Sequence, residues 1–415
     1  MIFLAGSLDM NGGSTFLLRI AQQVSPAEKL DIVILSSVID PQLRSQLEKY
    51  ANVIELKQLV DDKFTWCGTS QAAIFLPFDR LKIERLLQAN NRAVHAMGIF
   101  GLVYAYRLAR SFGQLKITAG VYQQYEFLHS SAFFFVRQAN KMFSNLPAEN
   151  IIFFNEYNRE KYAQVFKKNY AQSVIAPIGV PLPFMHSGVE RKFDYGRLVS
   201  VGNLVDFKTY NEHVIRTIAP LVTEFPQLRY DVYGDGDQVD YLQSLIAQLN
   251  VGDAVTLHGR IPYSEFRNVV GSAMGFIGSG TALLEAAALQ VPAITGIESI
   301  KTPETYGFLS GVKGYTYNEL VPGAELVPLR TVILTLLNAD SAEMQQTGAR
   351  CADKAAEFSI EKTVQGLNKL KLHSKLISVK FSLAFRVIFF LSFVTVAVLD
   401  LLNINRKFRM RRDQA

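Results

Sequence analysis

Cysteine is scarce in this 415-residue chain: Cys67 and Cys351 stand far apart, with no CxxC pair and no histidine partner. That excludes a disulfide scaffold, argues against a structural zinc site and fits a reducing compartment. A basic leader is missing too. MIFLAGSLDM has too short an apolar run for a secretory signal and reads as a first strand, so cytoplasmic residence is expected. Nor is there a basic stripe. The net charge is +6, but RKFRMRRDQA at the end carries five Arg/Lys against one Asp. Elsewhere Lys and Arg are scattered among carboxylates, and no nucleic-acid partner is expected.

What is present is an apolar fraction of 49% with 19% charged residues, the balance of a globular or membrane-associated protein. The length exceeds what one hydrophobic core usually serves, so two domains are expected. Short apolar runs alternate with helical patterns. MIFLAG (1–6), LDIVILSS (30–37), NVIEL (52–56), KITAGVYQQYEF (116–127), NIIFFN (150–155) and SVIAPIGV (173–180) read as strands, and residues 79–112 as largely helical. A proline-rich connector (177–196) separates this half from a second alternation that starts at RLVSVGN (197–203). Parallel sheets covered by helices on both faces follow, as two Rossmann-like lobes with a cleft between them. The expected divisions are a first lobe over 1–180, a linker over 181–196, a second lobe over 197–355, a returning helix over 356–375 and a tail over 376–415.

In such sheets, ligands meet the loops at the carboxyl ends of the strands. Asn11, Gly12 and Gly13 follow the first strand, where paired glycines allow either a tight turn or close backbone approach to a ligand. In VSVGNLVDFK (199–208), Lys208 is either a surface lysine or a compact charge for phosphate. The turn in DVYGDGDQ (231–238) reads as architecture. GSGTALLEAAALQVPAITG (278–296) is a glycine-hinged turn into a helix apolar all round except for Glu285. With Thr281 as N-cap the capping-box position falls on Leu284, and Ala282 is a poor cap, so capping does not explain Glu285. A carboxylate in a buried helix needs a donor. A ribose hydroxyl or a neighbouring arginine would serve, while backbone N–H groups at Ser279, Gly280 and Thr281 suit a diphosphate.

Taken in order, these segments resemble glycosyltransferase family 4, retaining enzymes of the GT-B fold. NGGS is similar to that family's first glycine-rich loop, APIGV to its lobe-closing segment, and SVGNLVDFK to its donor-phosphate segment. VYGDGD is similar to its Gly-x-Gly turn, VTLHGRIPYSEF and LLEAAALQVPAI to its late donor block, and SIEKTVQGLNKL (359–370) to its returning helix. The resemblance covers about residues 1–370. It implies that Lys208 and the amides of Ser279, Gly280 and Thr281 hold the donor's diphosphate, that Glu285 holds its ribose, and that Gly12 and Gly13 let the first lobe close on the donor. The family's donor-loop arginine falls on Asn203, and the earlier of its two glutamates on Ile277. A first-lobe histidine has Gln123, Gln124 or His129 as possible counterparts.

The tail KFSLAFRVIFFLSFVTVAVLDLLNINRKFRMRR (380–412) lies outside the resemblance. Its uncharged core, Val387 to Leu399, is shorter than the roughly 20 residues that span a bilayer. Basic residues flank it on both sides, so a shallow contact with anionic lipid is expected over a crossing, a core helix packed on a lobe being the alternative. The expected function is transfer of a sugar from a nucleotide-diphosphate-sugar to a glycan acceptor, lipid-linked, at the cytoplasmic face of a membrane, with no metal and no cofactor beyond the donor. A catalytically silent nucleotide-sugar-binding or scaffold protein is the alternative, motivated by Ile277 and Asn203. An epimerase on the same fold is a third reading.

Overall fold

A computed structural model describes the chain apart from residues 10–11, 26–27, 68–70, 129–132, 183–191 and 402–415. Its contacts fall into two compact units, one formed by Met1–Pro177 with Ile360–Ala415, the other by Ile178–Ser359.

The first unit holds a seven-stranded parallel sheet. Its strands are β1 (Ile2–Ala5), β2 (Leu30–Ile34), β3 (Ala51–Glu55), β4 (Ala93–Met97), β5 (Lys116–Val121), β6 (Ile151–Phe153) and β7 (Val174–Ile175). Their spatial order, β3-β2-β1-β4-β5-β6-β7, reverses direction between β1 and β4, the switch point where doubly wound sheets take ligands. All four residues of β1 are buried, as a strand covered on both faces must be.

β4 corrects the sequence reading of 79–112 as largely helical. The helix Arg80–Ala89 ends in a turn where Asn91 and Arg92 take left-handed φ, and AVHAM then pairs with both β1 and β5 before the helix Gly98–Phe112 begins. Five apolar-looking residues between two helices carry no period of their own, so pairing to neighbours decides the outcome. β5 stops at Val121, short of the expected 127, because the next amide, Tyr122 N–H, turns aside to the Glu126 carboxylate.

The second unit contains β8 (Asp194–Val201), β9 (Arg229–Tyr233), β10 (Val255–Gly259), β11 (Ala273–Gly278) and β12 (Ala293–Thr295), parallel and ordered β10-β9-β8-β11-β12. A short antiparallel pair, β13 (Glu304–Thr305) and β14 (Val327–Pro328), stands beside it. Adjacent residues on these strands serve opposite faces. Leu198, Ile277 and Ile294 enter one apolar cluster, whereas Val199, Phe276 and Ala293 enter another with the helix Gly280–Ala288. The result is helix–sheet–helix layering in this unit, with its switch point between β8 and β11.

The helix Ile360–His373 returns to the first unit, where Thr363 Oγ1 donates to Pro177 O over 2.8 Å. The tail helix, Leu383–Leu401, also packs on that unit. Phe389 and Phe393 are buried, with ring centroids 4.9 Å from Phe135 and Phe75 respectively. Ser392 Oγ accepts the Phe135 N–H. On the other side Leu383, Val387, Ile388, Leu391, Val394 and Val398 are exposed. Among the described residues no helix is long and apolar enough to cross a membrane.

Candidate functional site

The site residues named from the sequence in the second unit follow β8 and β11, the two strands that meet at that sheet's switch point. After β8 the chain continues the ladder: Gly202 N–H donates to Tyr233 O over 2.9 Å, and Leu204 N–H to Asp235 O over 3.0 Å. This close run explains the glycines of VYGDGD. A Cβ on Gly234 would lie 1.8 Å from Gly202 O, and one on Gly236 2.1 Å from Leu204 O. Both glycines let two loops lie backbone on backbone, an architectural role as the sequence suggested.

Asn203 is exposed on this loop, and Lys208 is half-buried at its far end. Lys208 folds back over the strand end: a Cβ on Gly202 would sit 3.0 Å from Nζ. The loop is pinned by the segment after β12. Ser299 N–H donates to Phe207 O over 2.6 Å, Thr209 Oγ1 donates to Ile300 O over 2.8 Å, and the His213 ring nitrogen lies 3.0 Å from the same oxygen. Ser299 holds φ at 58°, a left-handed conformation uncommon outside glycine.

After β11, Ser279 is the N-cap of the helix Gly280–Ala288, rather than Thr281 or Ala282. Its hydroxyl does not cap; it donates to Glu298 Oε1 over 2.9 Å. Gly280 takes φ +66°, and its N–H donates to Asn318 Oδ1 over 2.9 Å, so that amide already has an acceptor. Asn318 O also accepts the Glu298 N–H over 2.8 Å. Thr281 is half-buried in the first turn of the helix. Glu285 is buried (8% exposed) on the same helix among Leu283, Leu284 and Ala286, and it is engaged, as a buried carboxylate must be.

Sequence reasoning missed Glu298. Ile277, at the position of the family's earlier glutamate, is fully buried opposite Ile294 in the sheet and offers nothing to the loop side. A carboxylate nevertheless arrives at this corner from the neighbouring loop. Burial raises the Glu298 pKa, while the Lys208 charge and the Ser279 hydroxyl oppose that rise. Its signal in the sequence was position alone: it follows VPAITG, a strand ending in glycine at the ligand-facing edge.

In the first unit, Gly12 and Gly13 are exposed at the start of the helix Gly12–Val24, and a Cβ on Gly12 would meet nothing within 4 Å. Asn11 and His129 lie outside the described residues. Gln123 is exposed and Gln124 half-buried. The histidine that sits near this edge is instead His95 on β4, fully buried. Its Nδ1 lies 2.9 Å from Thr118 Oγ1 and its Nε2 2.6 Å from Tyr122 Oη. Thr118 Oγ1 donates to Val94 O, so Nδ1–H donates to Thr118 and Nε2 accepts the Tyr122 hydroxyl. Burial pushes the His95 pKa down to about 3, and the ring is neutral. Close by, Glu126 accepts Tyr122 N–H over 2.8 Å and faces Gly98 at the start of the helix Gly98–Phe112. Burial raises its pKa to about 7 against the pull of the Tyr122 and Gln123 amides. Among the described residues no group of His, Cys, Asp and Glu could hold a metal ion.

Two doubly wound parallel sheets, each with its switch point, make an α/β protein of the GT-B type, and solved glycosyltransferases share this fold. TarM of S. aureus, in complex with UDP among other ligands, superposes with a TM-score of 0.62 at 10% identity, covering 89% of this chain and 99% of TarM. HepE of Anabaena in complex with UDP-glucose gives 0.59 at 13%, covering 89% and 99%. A glycosyltransferase from Rickettsia africae gives 0.60 at 14%, covering 89% and 97%. No curated relative matches the chain. At these identities the likeness carries the fold. The class comes from the sequence: residues 188–303 match the family model for glycosyl transferases group 1, a stretch that holds Asn203, Lys208, Ser279, Gly280, Thr281, Glu285 and Glu298. The protein is thus an enzyme of the glycosyltransferase class with a group 1 domain in its second unit.

Proposed function

We propose that the protein transfers a sugar, with retention of configuration, from a nucleotide-diphosphate-sugar to a glycan acceptor, and that the donor binds at the β8/β11 switch point. The observation that carries this reading is that Lys208 Nζ lies beside Gly202 at the end of β8, while the neighbouring strand β11 leads into the start of the helix Gly280–Ala288. Breaking the glycosidic bond to a nucleoside diphosphate leaves negative charge on the departing phosphate. Groups fixed in advance around that charge lower the barrier. Lys208 supplies a compact cation and the Ser279–Thr281 turn supplies dipoles, with no metal or further cofactor invoked. Glu285 holds the ribose and Asn203 borders the phosphates. TarM and HepE, which share the fold, were solved with UDP or UDP-glucose bound.

The exposed apolar side of Leu383–Leu401 supports a lipid-linked acceptor handled at the cytoplasmic face of a membrane. On a helix the exposed positions 383, 387, 388, 390, 391, 394 and 398 fall within an arc of about 160°. The sequence beyond adds Arg406, Lys407, Arg409, Arg411 and Arg412, which suit anionic headgroups. Such a helix lies in the interface plane. Ile277 and Asn203 favour a second reading, a silent nucleotide-sugar binder.

A thermal-shift panel of nucleoside diphosphates and their sugars, followed by calorimetry on the best ligand, tests the donor site. Glu285→Ala should weaken binding about tenfold, or about 1.4 kcal/mol. Unchanged affinity removes Glu285 from the site. Donor turnover by the wild type separates the enzyme from the silent binder.

A further inference from the structure

The carboxylate of Glu298 occupies the corner in which the donor's diphosphate is proposed to lie. It is bonded to Ser279 Oγ over 2.9 Å, and the Lys208 charge acts on it without forming an ion pair. Its backbone is fixed as firmly as its side chain. Asn318 O holds its N–H, and Ser299, the next residue, is locked to Phe207 O in a left-handed conformation. Asn318 Oδ1 at the same time holds the Gly280 amide. The helix start therefore already has acceptors of its own: a carboxylate on the Ser279 hydroxyl and an amide oxygen on the Gly280 N–H.

An incoming diphosphate brings more negative charge to one lysine than that lysine can balance while Glu298 stays ionised. Two anions sharing a half-buried corner repel each other, and the group with the least-favoured charge gives way by taking a proton. Resting on the donor-site reading above, we propose that the Glu298 carboxylate, bonded to Ser279 at the helix start, is the acid of this corner and that binding of the donor's diphosphate is coupled to its uptake of one proton from solvent. The protonated acid stays beside Ser279 and gains an O–H that points a donor, in place of a charge, toward the phosphate. Its ionisation in the free protein is already disfavoured by burial, which keeps the cost of that proton low. Glu298 is a positioning residue here: it acts through Lys208 and through the charge of the corner. It also places an acid where the buried Ile277 brings none.

The test is calorimetry of the full chain with inorganic pyrophosphate and with each ribonucleoside diphosphate, in two buffers of different ionisation enthalpy, between pH 6.5 and 8.5. The free ligand's ionisation is common to all proteins and cancels in the comparison, which reads the proton that Glu298 adds to the bound corner. Wild type is expected to take up at least half a proton more than Glu298→Gln, and its affinity to fall at least fivefold further as pH rises. Glu298→Gln, which keeps an oxygen for Ser279, is expected to bind at least fivefold more tightly than wild type at pH 8.5. Ser279→Ala removes a hydrogen bond that favours the ionised form. It is expected to extend proton uptake to higher pH, a shift that a purely structural glutamate would not produce. Lys208→Ala should lose binding at every pH. Equal proton uptake and parallel pH profiles in wild type and Glu298→Gln, with ligand bound by both, overturn the coupling and leave the donor site standing. Absence of binding by wild type at millimolar ligand overturns the site itself, and the coupling with it.

Discussion

Glu126 makes folding stability depend on pH in a direction opposite to that of most surface carboxylates. In the folded protein its carboxyl titrates near 7, against 4.5 for an ordinary glutamate, because the group is withdrawn from water beside Gly98. Below pH 4.5 both folded and unfolded chains hold the proton, and the group contributes no slope. Between 4.5 and 7 the folded chain keeps a proton that the unfolded chain has released, so each rise in pH favours unfolding. Above 7 the full cost is present, about 3 kcal/mol from the shift at about 1.4 kcal/mol for each pH unit. Part of it falls outside a convenient range, and from pH 5 to pH 8 the expected loss is about 2 to 3 kcal/mol. Glu126→Gln keeps an oxygen for the Tyr122 N–H and carries no charge. It should lack this slope while shifting stability by a constant amount at all pH values. The assay is urea unfolding followed by fluorescence of the single tryptophan, Trp66, which belongs to the first unit. The slope difference between wild type and variant isolates Glu126 from every other titrating group. Parallel stability profiles in the two proteins would refute the reasoning.

Other substitutions probe packing and surface. In the helix Ser341–Ala356, a Cβ on Gly348 would lie 1.9 Å from Gln290 O, a backbone atom with no room to yield. Gly348→Ala should cost about 1 to 3 kcal/mol or more by overpacking, read as a lowered thermal midpoint, and an unchanged midpoint would mean that the helix moves freely away from the turn at Gln290. The two faces of the tail helix should respond oppositely. Phe389→Ala should destabilise the first unit by about 3 to 5 kcal/mol. Leu391→Lys with Val394→Lys should leave the urea midpoint within about 0.5 kcal/mol of wild type, as surface changes do, yet reduce sedimentation with anionic vesicles. Vesicle binding that survives the lysine pair would dismiss the exposed side as the lipid contact.

The alternation of short buried strands with amphipathic helices was legible without coordinates, because a strand buried on both faces and a helix buried on one leave different periods. So were the turns at the carboxyl ends of the parallel strands, the part of such sheets that ligands meet. The apolar surroundings of Glu285 announced a buried carboxylate, and it is buried. Local pattern failed at β4, where five residues carry too little period to separate strand from helix, and at the helix cap, where Ser279 gave its hydroxyl to a residue 19 positions away.

The sequence by itself determined the α/β class and the positions of the turns that follow the strands, since both follow from near-neighbour spacing. Only the tertiary structure decided that Glu298 takes the Ser279 hydroxyl, that His95 is a neutral core residue, and that the tail helix is apolar on two opposed faces of which one is already covered. Each of these depends on segments distant along the chain being brought together, and no local period records which distant partner removes a side chain from water or supplies its counter-charge.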